Sequence, residues 1–136
     1  MEAVVNWKAG LSFEGTVAGH AVAIDTTVSG GGSNTGMSPK QMLLASLCGC
    51  SGMDVVEIMQ KMRVRFTQLQ IIAEAEQTDT HPKVFKYIKM TYKSDIESDD
   101  IEKLSKAINL SHEKYCGISA MLKKHCDISH SIEIIT

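Results

Sequence analysis

Between Pro39 and Met62 the chain carries apolar side chains toward every helical face rather than along one stripe: Met42, Leu43, Leu44, Ala45, Leu47, Cys48, Cys50, Met53, Val55, Val56, Ile58 and Met59. A helix that is apolar all round is predicted to be buried. Its roughly 24 residues span about 36 Å at about 1.5 Å each, longer than the diameter a small domain needs. Lys40, Gln41, Asp54, Glu57 and Gln60 argue against a membrane span. A chain of 136 residues is one domain's worth. Its own sheet is too small to cover such a helix on both sides. The sequence therefore points to a homodimer whose second copy covers what remains.

The flanking segments give an α+β reading. Val4 to Trp7, Leu11 to Val17 and His20 to Thr26 alternate and are separated by Gly10 and Gly19, which predicts a three-stranded antiparallel meander. Val28 to Gly36 has too many glycines for helix or strand and is predicted to be a flexible loop. Ser38-Pro39-Lys40-Gln41 then reads as a capping box with proline at the first helical position. Val64 to Gln77 and Val84 to Asp95 form a second predicted hairpin around His81-Pro82. Ser98-Asp99-Asp100 caps a helix to about Leu110 with a stripe at Ile101, Leu104, Ala107 and Ile108. A short helix from about Cys116 to Lys124 and a last strand from Ile128 to Ile135 complete the single domain, residues 1–136.

Composition excludes several function classes. Fourteen Lys plus Arg against sixteen Asp plus Glu leave a net charge of −2, so there is no basic footprint for nucleic acid or an anionic membrane. Four cysteines are too few for a disulfide scaffold, and no signal-peptide pattern opens the chain, so a reducing, cytoplasmic setting is expected. No P-loop, dinucleotide fingerprint or serine nucleophile elbow is present, and no cofactor is expected. A metal site is also not expected. Cys48 and Cys50 diverge on a helix, and His125 and His130 are five apart across a strand start; His112 and Cys116 could chelate only from one helix.

The interest of the four thiols is then reactivity. Cys50 lies mid-helix between Gly49 and Gly52, and each helical glycine costs about 1 kcal/mol relative to alanine. Either a neighbour packs close there or the helix bends to expose something; Cys50 is a small buried hydrophobe or a reactive group. Cys116 stands where the third helix starts: it is a partly buried cap residue or a reactive group, since unpaired N–H groups there favour a thiolate and His112 and Lys114 would add to this if they turn inward. Cys48 and Cys126 read as structural.

The run Gly31-Gly32-Ser33-Asn34-Thr35-Gly36-Met37-Ser38-Pro39-Lys40-Gln41, continuing to Cys48-Gly49-Cys50-Ser51-Gly52-Met53-Asp54-Val55-Val56, together with His112-Glu113-Lys114-Tyr115-Cys116-Gly117-Ile118-Ser119, resembles the OsmC/Ohr family of osmotically inducible and organic hydroperoxide resistance proteins, nearer its OsmC-like branch. The order of elements agrees over essentially the whole chain. The resemblance implies an intertwined homodimer acting as a thiol peroxidase on small organic hydroperoxides. In it Cys50 matches the peroxidatic cysteine and Cys116 the resolving one, and a lipoyl-type or other dithiol reductant resets the pair. Met42, Leu47, Met53 and Met121 are apolar candidates for the substrate pocket.

The chain departs from the family pattern at one pair. The family's peroxidases use an arginine from the N-terminal strands and a glutamate directly after the helix-start proline. Here that second position is Lys40, and the only arginines are Arg63 and Arg65. Lys8, Lys40, His112 or a partner's residue are the remaining sources of positive charge for thiolate activation, and lysine lacks the planar fork of arginine. The alternative reading is a non-peroxidase member of the fold, a redox-sensing or small-molecule-binding protein without the activating arginine.

Overall fold

Ala18 and Gly19 both take positive φ, +50° and +82°. Two such residues in succession make the tight hairpin turn whose twist matches right-handed strands. They join β2 (Ser12–Val17) to β3 (His20–Ile24), and β1 (Val4–Ala9) pairs antiparallel with β2, giving the expected meander in the order β1-β2-β3. The computed structural model describes residues 1–136 as two compact units, Met1–Leu43 and Leu44–Thr136.

In the N-terminal unit the glycine-rich segment is organised rather than loose. Asp25, 2% exposed, follows β3 and accepts hydrogen bonds from the N–H groups of Thr26 (2.8 Å), Ser33 (3.2 Å) and Thr35 (3.1 Å) and from the Thr35 hydroxyl (2.6 Å). One carboxylate thus replaces the ladder partners that a strand would supply. Gly36 is required by close approach: a Cβ there would lie 2.4 Å from the Ala23 carbonyl oxygen. The prediction of a flexible loop missed Asp25, whose side chain supplies the missing acceptors.

The capping box forms as read. The Ser38 N–H donates to Gln41 Oε1 (2.9 Å) and the Gln41 N–H to Ser38 Oγ (3.4 Å). It opens α1 (Pro39–Lys61).

The C-terminal unit is a sheet in the order β4-β5-β6, with β5 central. β4 (Leu69–Gln77) and β5 (Phe85–Ser94) are the predicted hairpin, begun later than expected because Val64 to Gln68 stay outside the ladder. β6 (Asp127–Ile134) pairs parallel to β5. A parallel neighbour requires a crossover, and α2 (Ile101–Leu110), a wide π-helical turn at Ser111–Tyr115 and α3 (Gly117–Leu122) supply it. Ile88, Met90, Tyr92 and Ser94 of β5 all point inward, as the period of two demands. Ile88, Met90 and Tyr92 share one core with Leu47, Val55 and Met59 of α1 and Leu104, Ala107 and Ile108 of α2.

All-round burial of α1 is not observed within the chain. Its buried residues are Leu47, Ser51, Val55 and Met59, one stripe at every fourth position, while Met53 is 77% exposed and Leu43 37%. A single stripe is what one packing layer reaches. The mean hydropathy of its most apolar window, 1.5, is enough at this length to cross a membrane, so the polar residues do not exclude a span by composition; a core helix of a soluble domain meets the same measure.

Candidate functional site

The stripe of α1 that faces the C-terminal core carries Ser51, and one residue earlier the helix turns Cys50 toward the start of α3. Cys50 and Asp54 are one helical turn apart, so their side chains fall on the same side. Cys116 is the N-cap of α3, held there by the π-helical turn before it, whose last carbonyl-bonded N–H is Cys116 N to Ser111 O at 2.7 Å. The sulfur atoms of Cys50 and Cys116 and a carboxylate oxygen of Asp54 all lie within 4.8 Å of one another. All four cysteines are free thiols.

Cys116 is 2% exposed, and its sulfur accepts the Ser119 N–H at 3.3 Å. A helix start was expected to favour its thiolate. Burial, first, and the hydrogen bond with Cys50 next, outweigh the N–H groups of Ser119 and Ile118 and push the thiol up to about 11. The expectation is corrected on that account: six residues of helix make a weak dipole, and desolvation wins.

Behind the thiols runs a continuous polar chain through an otherwise apolar core. Ser111 Oγ donates to Asp54 Oδ2 (2.9 Å) and lies 3.2 Å from Ser51 Oγ; Ser51 Oγ meets Tyr92 Oη at 2.6 Å; Tyr92 Oη meets His112 Nε2 at 2.8 Å; His112 Nδ1 meets Ser119 Oγ at 2.8 Å. Ser51, Tyr92, Ser111 and Ser119 are at most 1% exposed, and no buried side-chain nitrogen or oxygen lacks a partner. Burial raises Tyr92 well above the ordinary phenol range. His112 also stacks on His130, ring centroids 5.4 Å apart. Burial, then His130 and Lys123, lower His112 to about 4, so it is neutral at pH 7 and brings no positive charge to the thiols. Lys114, the other expected contributor, lies over the Tyr115 ring instead.

A cleft of about 350 Å³ opens at Asp54 and is walled by Glu57, Ile58, Lys61, Leu110 and Tyr115. Asp54 therefore stands between the cleft and the thiol pair.

The family model for OsmC-like protein matches residues 30–131. The chain belongs to the OsmC-like family. Protein YhfA of Escherichia coli K12 is 33% identical over 138 residues, covering 99% of this chain and 98% of YhfA. A hypothetical protein from Aquifex aeolicus VF5 has a solved structure with TM-score 0.81 at 26% identity, covering 99% of this chain and 97% of that one. An organic hydroperoxide resistance protein OsmC from Legionella pneumophila shares the fold at 16% identity with TM-score 0.69, covering 97% and 95%.

The other residues that the sequence nominated for this OsmC-like chain fall in different places. Met42 lines a separate, mostly apolar cavity of about 260 Å³ in the N-terminal unit, with Val5, Val22 and Ile24. Leu47 is fully buried in the core of the C-terminal unit and so is closed to a substrate, while Met53 and Met121 are 77% and 62% exposed. Lys40 is in the first turn of α1, ten residues before Cys50 and about 15 Å along the helix axis. Of the two glycines near Cys50, Gly52 has the close neighbour, since a Cβ there would lie 2.9 Å from Ile71 Cδ1; Gly49 faces open space. Cys48 and Cys126 are partly buried beside the core, and burial raises both thiols.

Asp54, Ser51, Tyr92 and Ser111 were not singled out in the sequence as site residues. The signal for Asp54 was available, as a carboxylate four residues after a candidate thiol on one helix. The others sit on three elements, and only their packing makes them one chain.

Proposed function

We propose that this OsmC-like protein is a thiol-dependent peroxidase that reduces organic hydroperoxides to alcohols. The observation that carries the reading is the pair of free thiols, Cys50 and Cys116, with sulfurs within 4.8 Å of each other and of Asp54, which lines an open cleft. The Cys50 thiolate attacks the distal oxygen of the hydroperoxide, the O–O bond breaks, and the alkoxide leaves with a proton as the alcohol. The Cys50 sulfenic acid then condenses with the Cys116 thiol to a disulfide and water. A dithiol of the lipoyl kind returns both sulfurs to the reduced state. Ile58, Leu110 and Tyr115 in the cleft wall favour a bulky, cumene-like hydroperoxide over hydrogen peroxide.

The proposal includes a homodimer acting through the whole chain as one domain in a reducing cytoplasm. The exposed side of α1, with Met53 and Leu43, supports the dimer, because an apolar helix face of this kind is costly to leave in water.

The test adds one equivalent of cumene hydroperoxide to the reduced protein and follows peroxide loss and thiol state by peptide mass spectrometry. Loss of peroxide with a Cys50–Cys116 disulfide supports the reading, and Cys116→Ser should stop at a Cys50 sulfenic acid. Peroxide that survives with both thiols free overturns it. A second reading, a redox-sensing dithiol without peroxidase turnover, is favoured by the neighbour the pair has: a carboxylate, Asp54, rather than a cation. It predicts a disulfide that forms with oxidants of any size, at a rate that bulky alkyl groups do not raise.

A further inference from the structure

We propose that the reduced protein binds one thiophilic divalent cation, of which Zn²⁺ is the common example, through Cys50, Asp54 and Cys116. The inference rests on the reading of Cys50 and Cys116 as one reduced pair, but on no step of peroxide chemistry.

Three observations carry it. The donor set is two sulfurs and one carboxylate oxygen, all within 4.8 Å of one another. Around a tetrahedral Zn²⁺ with bonds of about 2.3 Å to sulfur, two ligand sulfurs stand about 3.8 Å apart, so rotamer-scale closure completes the site. The donors are also fixed from behind. Ser111 Oγ holds Asp54 Oδ2 at 2.9 Å, while the Ser119 N–H holds Cys116 Sγ at 3.3 Å. Such outer contacts orient ligands and tune affinity. Finally, the set is one ligand short of four. Three protein ligands leave a fourth position, and Asp54 borders the cleft through which water or a small ligand would fill it.

Two thiolates select soft or borderline cations over Mg²⁺ and Ca²⁺. Binding is balanced as one M²⁺ plus two thiols and one carboxylate giving the complex and two released protons. The same sulfurs cannot be both ligands and a disulfide, so the cation and oxidation exclude each other.

The test titrates the reduced, metal-free, full-length protein with Co²⁺. The expected result is one equivalent of a four-coordinate spectrum, with sulfur-to-cobalt charge transfer in the near ultraviolet and intense visible bands, displaced by Zn²⁺. Ser111→Ala should weaken binding about 10- to 100-fold, and Cys50→Ser, which leaves Cys116 as the one sulfur ligand, should lower the charge-transfer band by at least about half. In the wild type, Zn²⁺ should slow alkylation of Cys50 and Cys116 by iodoacetamide and leave Cys48 and Cys126 unchanged, a readout that needs no variant to fold. A titration without sulfur charge transfer, a spectrum that Cys50→Ser leaves unchanged, or protection confined to Cys48 and Cys126 overturns the proposal. Peroxide consumption is measured separately on metal-free protein, so failure of one reading leaves the other standing.

Discussion

The two units solve the burial of an acidic group in opposite ways. In the N-terminal unit Asp25 is nearly inaccessible and no apolar side chain is buried; in the C-terminal unit thirteen apolar residues are buried, and Asp54 stays half-buried at the end of a polar chain. Asp25 is surrounded by donors, chiefly Thr35 and Thr26, which lower its carboxyl to about 2. It is a fixed charge that ties a loop. Asp54 has one hydroxyl donor, Ser111, and otherwise faces two thiols. A carboxylate with its acceptor capacity satisfied is fixed in place, and one with capacity to spare at a cleft can still take a partner. The glycine-rich segment therefore reads as architecture despite its motif, and the quieter Cys50 turn as the candidate site.

The strongest way to break this contrast is to truncate an apolar side chain in each unit. Leu104→Ala, at a fully buried position, should cost about 2–5 kcal/mol. Val22→Ala, at a position 38% exposed, should stay within about 0.5 kcal/mol. Denaturant melts compare the two, and equal losses would refute a core confined to the C-terminal unit. Next in size, Tyr92→Phe removes the hydroxyl shared by Ser51 and His112 and should cost about 1–3 kcal/mol, because His112 Nε2 is left without its partner. A stability at or above wild type would mean the polar chain is dispensable. Ser38→Ala should cost about 1 kcal/mol through the lost cap, read as earlier hydrogen exchange in the first turn of α1.

The gentlest probe is acid, which should reach the units in turn. His112 has a folded value of about 4 against an ordinary 6.5, so the unfolded chain takes up its proton first. Its contribution is complete above pH 6.5 and is lost as pH falls from there to about 4. Asp25, at about 2 against 3.8, contributes fully above pH 3.8 and loses that contribution only between there and about 2. Amide exchange followed against pH should show the C-terminal unit weakening first. Simultaneous weakening near pH 3 would remove the distinction between a neutral buried histidine and an ionised buried aspartate.

Much of the fold was legible because it is written in local patterns. The alternation of β1 to β3, the Ser38–Gln41 box and the stripe of Leu104, Ala107 and Ile108 each depend on residues within a few positions of one another. What escaped depended on distance along the chain. The π-helical turn at Ser111–Tyr115 reads as ordinary helix or loop in sequence, yet it sets Ser111 toward Asp54 and Cys116 at the head of α3. The parallel pairing of β6 with β5 leaves no mark in either strand. Asp25 was passed over because a lone aspartate after a strand looks like any turn residue until Ser33 and Thr35 fold back onto it.

The same division holds for the site. The sequence by itself nominated two of the four thiols, through the two cysteine motifs, and determined that no arginine lies before residue 63, because residue identity is one-dimensional information. Only the tertiary structure decided that Asp54 joins Cys50 and Cys116, that Cys116 is a buried, raised thiol, and that His112 is neutral. Those are properties of solvation and of distances between α1, β5 and α3, and burial acts on a charge only once the chain has closed around it.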